Sequence, residues 1–124
     1  MPPRLFIISG GLLAALGVAA GAIGAHLLEG RLVAERMDSF QTAVRYQTIH
    51  AVALVLVGLM AAHQPHGALS VAGGAFLVGI TLFSGGIYLW LATGVKAWVM
   101  PVPVGGVAMI VGWLAVAAAG LRFR

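Results

Sequence analysis

Long apolar segments alternate with short polar segments along the chain, and their lengths indicate the class of protein. The first apolar run extends from Leu5 to Leu28 without a charged residue, and three further runs follow it. A helix needs about 20 predominantly apolar residues to cross a bilayer. The pattern predicts an all-α membrane protein, an antiparallel bundle of four transmembrane helices with approximate spans at residues 5–28, 43–62, 68–92 and 102–121.

The ends of the first two spans need separate arguments. The run from Leu5 to Leu28 exceeds the core of about 7–15 residues that a signal peptide has, so we expect it to remain as a helix. Residues 29–45 hold all three acids among apolar residues at helical spacing, which predicts an amphipathic interfacial segment between helices 1 and 2. The apolar run from Ala51 to Ala62 is too short to span alone. The second helix must therefore begin earlier and carry polar side chains toward the membrane.

Composition narrows the functions that the chain can have. With 124 residues, of which 61% are hydrophobic and 8% charged, it has room for one membrane domain over residues 1–124 and none for a soluble catalytic domain. There is no cysteine, which excludes disulfides, thiolate metal sites and cysteine nucleophiles. The net charge of +4 comes from basic residues scattered singly. We therefore expect no nucleic-acid partner, and the lipid bilayer is the partner that this pattern indicates.

The basic residues give a weak indication of orientation. Arg4, Arg122 and Arg124 lie beside the termini, which share one side of the membrane when the number of spans is even. Three other basic residues lie on the opposite side, so the count is tied. The terminal arginines favour a topology with both termini in the cytoplasm.

Small residues recur on two of the predicted helices. Gly17 and Gly21 form a GxxxG pair on helix 1. A similar ridge on helix 4 consists of Ala108, Gly112, Val116 and Gly120. In lipid such residues let helix backbones approach closely. The pattern favours tight packing inside the bundle, with a homodimer face as the alternative.

A set of polar side chains falls within or near the first three spans: His26, Gln41, Arg45, Tyr46, Gln47, His50, Ser84 and Tyr88. Ionisable groups at the centre of a membrane helix cost about 2.5–3.5 kcal/mol on insertion scales, so they normally face protein or water. Spacing of four places Tyr46 with His50 on one face, and Ser84 with Tyr88 on another. We expect the set to gather toward one side of the bundle.

Two interpretations of this polar set remain open. The side chains can bond helices 1, 2 and 3 together and satisfy Arg45. Alternatively, His26 and His50 can bind a ligand, a metal or haem, with Tyr46 and Gln47 supporting them, or line a lipid or proton path. Two histidines form no recognised metal motif, so no metal site and no cofactor is predicted. No phosphate loop, nucleophile elbow or zinc-protease pair is present, so no catalytic residue is assigned and enzyme activity lacks support.

Four motifs give the chain a resemblance to a known family. They are GAIGAHL at residues 21–27, QTAVRYQTIH at 41–50, LFSGGIY at 82–88 and PVGG at 103–106, followed by Gly112 and Trp113. In this order the chain resembles the family catalogued as domain of unknown function 423, or UPF 0382, and is similar to eukaryotic transmembrane protein 256. The resemblance covers nearly the whole chain and implies a bacterial inner-membrane protein with no assigned biochemical activity. Val102 stands where the family pattern has Thr, so a hydroxyl role there is not implied.

Two hypotheses of different classes follow. The favoured one is a structural or accessory membrane protein that associates with itself or with a larger membrane complex. The other is a binder or transporter of a small ligand, lipid or metal that uses the polar set.

Overall fold

A computed structural model describes residues 1–124 as an all-helical protein without strands. Four helices are long and apolar enough to cross a membrane. We label them α1 (Pro3–Leu28), α2 (Ala34–His63), α3 (Gly67–Thr93) and α4 (Val102–Gly120); a 3-10 turn at Lys96–Val99 precedes α4. The predicted fold class, a membrane protein with four helical spans, is confirmed.

The helix ends follow from local chemistry. Proline occupies the first turn of α1 and of α4, where its missing N–H donor costs no hydrogen bond. His66 caps α3 because its Nδ1 accepts a hydrogen bond of 3.0 Å from the Ala68 N–H. Gly94 ends α3 with a φ of 71°, a left-handed conformation that glycine adopts without strain. These helix starts and ends leave only short connections, and short connections place neighbouring helices antiparallel.

The second helix begins at Ala34, whereas the sequence pattern placed the start of the span near residue 43. Neither glycine nor proline interrupts the chain between Ala34 and Val57, and Glu35 in the first turn is favourable at the positive end of the helix dipole. The amphipathic segment is therefore divided. Residues 29–33 form the connection, and residues 34–45 form the first turns of α2.

The helices pack in chain order, α1 on α2, α2 on α3 and α3 on α4, so α2 and α3 lie between the other two. The apolar core occupies the half of the bundle nearest the chain termini and includes Phe6, Leu54, Val57, Leu69 and Phe76. Here α1 also reaches α3, because the Phe6 ring lies directly over Gly73. The opposite half holds most of the polar contacts described below.

Glycine allows the closest helix contacts in two of the helix pairs. A Cβ on Gly105 of α4 would lie 2.5 Å from the backbone nitrogen of Phe83 in α3. A Cβ on Gly17 of α1 would lie 2.6 Å from the Thr48 hydroxyl oxygen in α2. At Gly105 the near atoms belong to the backbone, so a side chain has no space there, whereas a side chain at Gly17 would require Thr48 to move. Gly17 of the predicted helix 1 pair and Gly112 of the helix 4 ridge both face neighbours inside the bundle.

One irregularity interrupts α1. Residues Ala20–Gly24 form a single π-helical turn between two α-helical stretches. Beyond Leu13, toward this turn, α1 and α3 no longer touch closely, and a groove lies between them. The π turn therefore lies on the wall of the largest opening in the bundle.

Candidate functional site

The structure separates the predicted polar set into two bonded clusters and a group of exposed residues. Gln47, Ser84 and Tyr88 form the first cluster, between α2 and α3. Tyr46 and His50 belong to the second, which faces α4. His26, Gln41 and Arg45 are exposed and join neither cluster. The set therefore does not converge on one point.

The first cluster, which we call the Gln47 cluster, consists of Gln47, Ser84 and Tyr88. The Tyr88 hydroxyl donates to Gln47 Oε1 at 2.7 Å, and Gln47 Nε2 donates to the Leu13 carbonyl of α1 at 2.8 Å. Ser84 donates to the Ala43 carbonyl at 2.6 Å. Gln47 and Ser84 are only 4% and 1% exposed. These hydrogen bonds join three helices.

The second cluster, the His50 cluster, consists of His50, Tyr46, Trp113, Phe76 and Phe83. Trp113 Nε1 lies 3.0 Å from His50 Nε2, and His50 Nδ1 lies 2.7 Å from the Tyr46 carbonyl oxygen. Because an indole nitrogen only donates, Nε2 must be the acceptor, and the ring proton is therefore assigned to Nδ1. His50 is neutral in this arrangement, and both of its ring nitrogens are occupied.

Aromatic rings surround His50 on three helices. Tyr46 stacks on Phe83 with a centroid distance of 4.7 Å, and Phe76 meets Trp113 edge to face at 4.9 Å. His50 lies 5.4 Å from the Phe76 ring. Such pairs contribute about 0.5–1.5 kcal/mol beyond burial of area. The His50 cluster therefore joins α2, α3 and α4 by packing as well as by hydrogen bonds.

The remaining predicted residues lie at the surface. His26 is 82% exposed and lies 3.9 Å from Glu29, which is a weak solvent-exposed ion pair. Arg45 has neither an ion pair nor a hydrogen bond within the chain, so the expectation that the polar set satisfies it is wrong. Arg45 lies about 27 Å along α2 from its end at His63, near the edge of a hydrocarbon layer of about 30 Å. A guanidinium at that depth can extend to the headgroups.

The hydrogen bond between Trp113 and His50 is a contact between helices that the sequence pattern did not predict. Its partner His50 lies 63 residues earlier in the chain. A tryptophan within an apolar span has one N–H that needs an acceptor. That requirement could have indicated a polar partner for Trp113 inside the bundle.

The buried polar side-chain atoms all have hydrogen-bond partners within the chain. No group of three or more His, Asp or Glu residues lies close enough to hold a metal ion. The chemistry that this arrangement supports is therefore bonding between helices.

The direction of these bonds follows a rule. Tyr88 and Ser84 of α3 and Trp113 of α4 all donate to acceptors on α2. Two side-chain bonds depart from this rule: Gln47 donates to the Leu13 carbonyl of α1, and Gln64, directly after α2, donates to the Arg122 carbonyl beyond α4. Side-chain hydrogen bonds thus connect the first two helices to the last two, whereas glycine contacts predominate within each of those pairs.

Two grooves flank the clusters. The α1–α3 groove is a cavity of about 500 Å³ whose floor includes Gln47. A second groove of about 430 Å³ lies between α2 and α4 and is lined by Tyr46, His50 and Trp113. Both grooves open to the outside of the bundle.

Comparison with known proteins identifies relatives along nearly the whole chain. Residues 20–106 match the family model described as "Protein of unknown function (DUF423)". A UPF0382 membrane protein of Staphylococcus epidermidis is 38% identical over 124 residues, covering 97% of this chain and 98% of that protein. The UPF0382 membrane protein YwdK of Bacillus subtilis is 35% identical over 121 residues, with the same coverage. No solved structure matches the chain significantly.

Proposed function

We propose that this chain, which belongs to the DUF423 (UPF0382) family of membrane proteins, is a structural or accessory protein of the membrane rather than an enzyme. One observation carries the proposal: the predicted polar residues that lie inside the bundle are bonded to other helices. Polar side chains in lipid cost free energy. Here they form hydrogen bonds between helices, and these bonds favour one arrangement of the helices.

The hydrogen bonds that these side chains already make support a structural role over ligand binding. A metal at His50 would displace the proton on Nδ1 or the bond from Trp113, because both ring nitrogens are in use. A metal at His50 would therefore replace one of the two hydrogen bonds that the ring makes. The Gln47 amide makes one hydrogen bond between helices through its nitrogen and another through its oxygen.

We infer that the protein acts through its outer surface, by associating with itself or with a larger membrane complex in the inner membrane. Most of the large side chains on the outer faces of the four helices are apolar, and they are available to lipid or to another helix. The bilayer lipids contact these outer faces. A protein partner would be recognised by the packing of helix surfaces rather than by a catalytic group.

Tyr88→Phe and Gln47→Leu test the structural role of the Gln47 cluster. We expect each single change to lower the free energy of unfolding, and the double variant to cost less than their sum. The coupling should be about 0.6–1.7 kcal/mol, as for hydrogen bonds between membrane helices. SDS-induced unfolding in mixed micelles, followed by circular dichroism, measures all four proteins.

Native mass spectrometry and elemental analysis of the same samples test the alternative, that the polar residues bind a ligand. A stoichiometric metal, haem or polar molecule that is bound by the wild type and lost from Tyr88→Phe would overturn the structural proposal. Thr81→Val is a matched control on α3, because the Thr81 hydroxyl donates only to the Leu77 carbonyl of its own helix. It should leave the stability of the bundle nearly unchanged.

We propose that both termini face the cytoplasm, since Arg4, Arg122 and Arg124 lie beside them. The chain has no cysteine, so one introduced thiol is a unique label. An impermeant maleimide should label Val95→Cys in intact cells and Pro65→Cys only after permeabilisation. Both positions are exposed in turns at opposite ends of the bundle. The reverse labelling pattern would invert the topology.

A further inference from the structure

The end of the bundle that carries the chain termini has basic side chains and no acidic ones. Arg4 lies in the first turn of α1, and Arg122 and Arg124 follow the last turn of α4. The turn between α2 and α3 lies at the same end and contributes no acid. All three acids of the chain lie at the opposite end, beside an equal number of basic residues. The positive charge is therefore concentrated at the end with the termini.

The last residues of the chain, 121–124, which we call the C-terminal tail, are held against the turn between α2 and α3 by one side chain. The Gln64 Nε2 donates to the Arg122 carbonyl oxygen at 3.2 Å. The Arg124 N–H donates to the Gln64 Oε1 at 3.3 Å. Both polar atoms of the Gln64 amide are thus bonded to the C-terminal tail.

Phe123 attaches the C-terminal tail a second time, by packing. The Phe123 side chain is partly buried against the apolar core, and its ring centroid lies 6.5 Å from that of His63 at the end of α2. Arg122 and Arg124, on either side of Phe123 in the sequence, are exposed. The apolar side chain therefore enters the bundle, and the two arginines remain outside it at fixed positions.

The guanidinium groups of these two arginines are free to bind an anion. Neither Arg122 nor Arg124 has an ion pair within the chain, and their hydrogen bonds to Gln64 use backbone atoms only. A guanidinium presents paired N–H donors that match the oxygens of a phosphate. Because the tail directly follows a membrane-spanning helix, the phosphates within its reach are those of the lipid headgroups.

We propose that the C-terminal tail binds the phosphate of an anionic phospholipid through Arg122 and Arg124, and that Gln64 positions these two residues. This site goes beyond the structural role proposed above and does not depend on it, because no member of the Gln47 cluster or the His50 cluster takes part. Its failure would therefore leave the structural proposal intact.

The test compares lipid selectivity between variants that lose the same charge. Each untagged protein is reconstituted in vesicles of equal parts palmitoyl-oleoyl phosphatidylglycerol and phosphatidylcholine, re-extracted in mild detergent and analysed by native mass spectrometry. The measured quantity is the ratio of retained phosphatidylglycerol to retained phosphatidylcholine. A basic residue at the membrane surface contributes about fivefold, so Arg122→Gln combined with Arg124→Gln should lower the ratio roughly 25-fold. Arg31→Gln combined with Lys96→Gln removes the same charge at the opposite end and should leave the ratio nearly unchanged.

Gln64→Leu tests the positioning, because it keeps every charge and removes both hydrogen bonds to the C-terminal tail. We expect the ratio to fall several-fold while circular dichroism shows unchanged helix content. Phe123→Ala, which releases the tail from its packing contact, replaces Gln64→Leu if that variant does not fold.

Three results would overturn the proposal. The first is an equal ratio for the wild type and the variant without the two tail arginines. The second is an equal loss in the control variant at the opposite end, since net charge alone would then explain the selectivity. The third is an unchanged ratio in Gln64→Leu, because cations on a loose tail would then be sufficient.

Discussion

Gly105→Ala should destabilise the protein by about 2–3 kcal/mol, while Gly106→Ala should leave its stability unchanged or raise it by up to about 1 kcal/mol. The added methyl at Gly105 would lie 2.5 Å from the Phe83 nitrogen and 2.9 Å from the Gly79 carbonyl oxygen. Both are backbone atoms of α3, which cannot move aside as a flexible side chain can. At Gly106 the same methyl meets only the Phe83 ring, at an ordinary 3.8 Å.

The two alanine variants differ by one position in the sequence, so they share helix propensity and depth in the membrane. SDS-induced unfolding monitored by circular dichroism should separate them by about 30-fold or more in the population ratio of unfolded to folded protein. Equal stabilities would mean that α3 and α4 do not cross at Gly79 and Gly105. That result would contradict the close contact between α3 and α4 described above.

His50→Ala should be the most costly change in the His50 cluster, at about 2–4 kcal/mol. It removes the acceptor of the Trp113 indole N–H and leaves that donor unpaired in an apolar layer. It also opens a space beside Phe76 and Tyr46, where the rings now touch. The measurement is again the free energy of unfolding in mixed micelles.

Trp113→Phe separates the hydrogen bond from the packing. This variant removes the indole donor but keeps an aromatic ring, and it should cost about 1 kcal/mol. Combined with His50→Ala it should add little, because the N–H left unpaired by the first change is then absent. Full additivity would contradict the assigned bond. Loss of a bound metal or haem on His50→Ala, with stability unchanged, would instead establish a ligand site at His50.

The fold was predictable because the length of an apolar run reports membrane thickness directly. The predicted third span, residues 68–92, matches α3 to within one residue at each end, Gly67–Thr93. The start of α2 was not predictable in this way, since apolarity marks where a helix leaves the hydrocarbon and not where the helix itself begins. Only the absence of a stop signal after Ala34 indicated the longer helix.

Five of the eight predicted polar residues lie in the two clusters, but their hydrogen-bond partners were not predictable from the sequence. Spacing of four correctly placed Ser84 and Tyr88 on one face, and both donate to α2. The division into two clusters depends on helix rotation and crossing geometry, which composition and spacing do not encode. Arg45 differs for another reason, because a long side chain near the membrane surface can reach headgroups instead of a protein partner.

The separation between glycine contacts and side-chain hydrogen bonds has a consequence for biogenesis. Each helical hairpin, α1 with α2 and α3 with α4, closes on backbone and glycine surfaces that it carries itself. The N-terminal hairpin can therefore fold in the bilayer as soon as the ribosome releases it, with Gln47 already bonded to Leu13. Ser84, Tyr88 and Trp113 are synthesised later, and they donate to acceptors that α2 already carries. We therefore expect the N-terminal hairpin to insert first and the C-terminal hairpin to dock onto it.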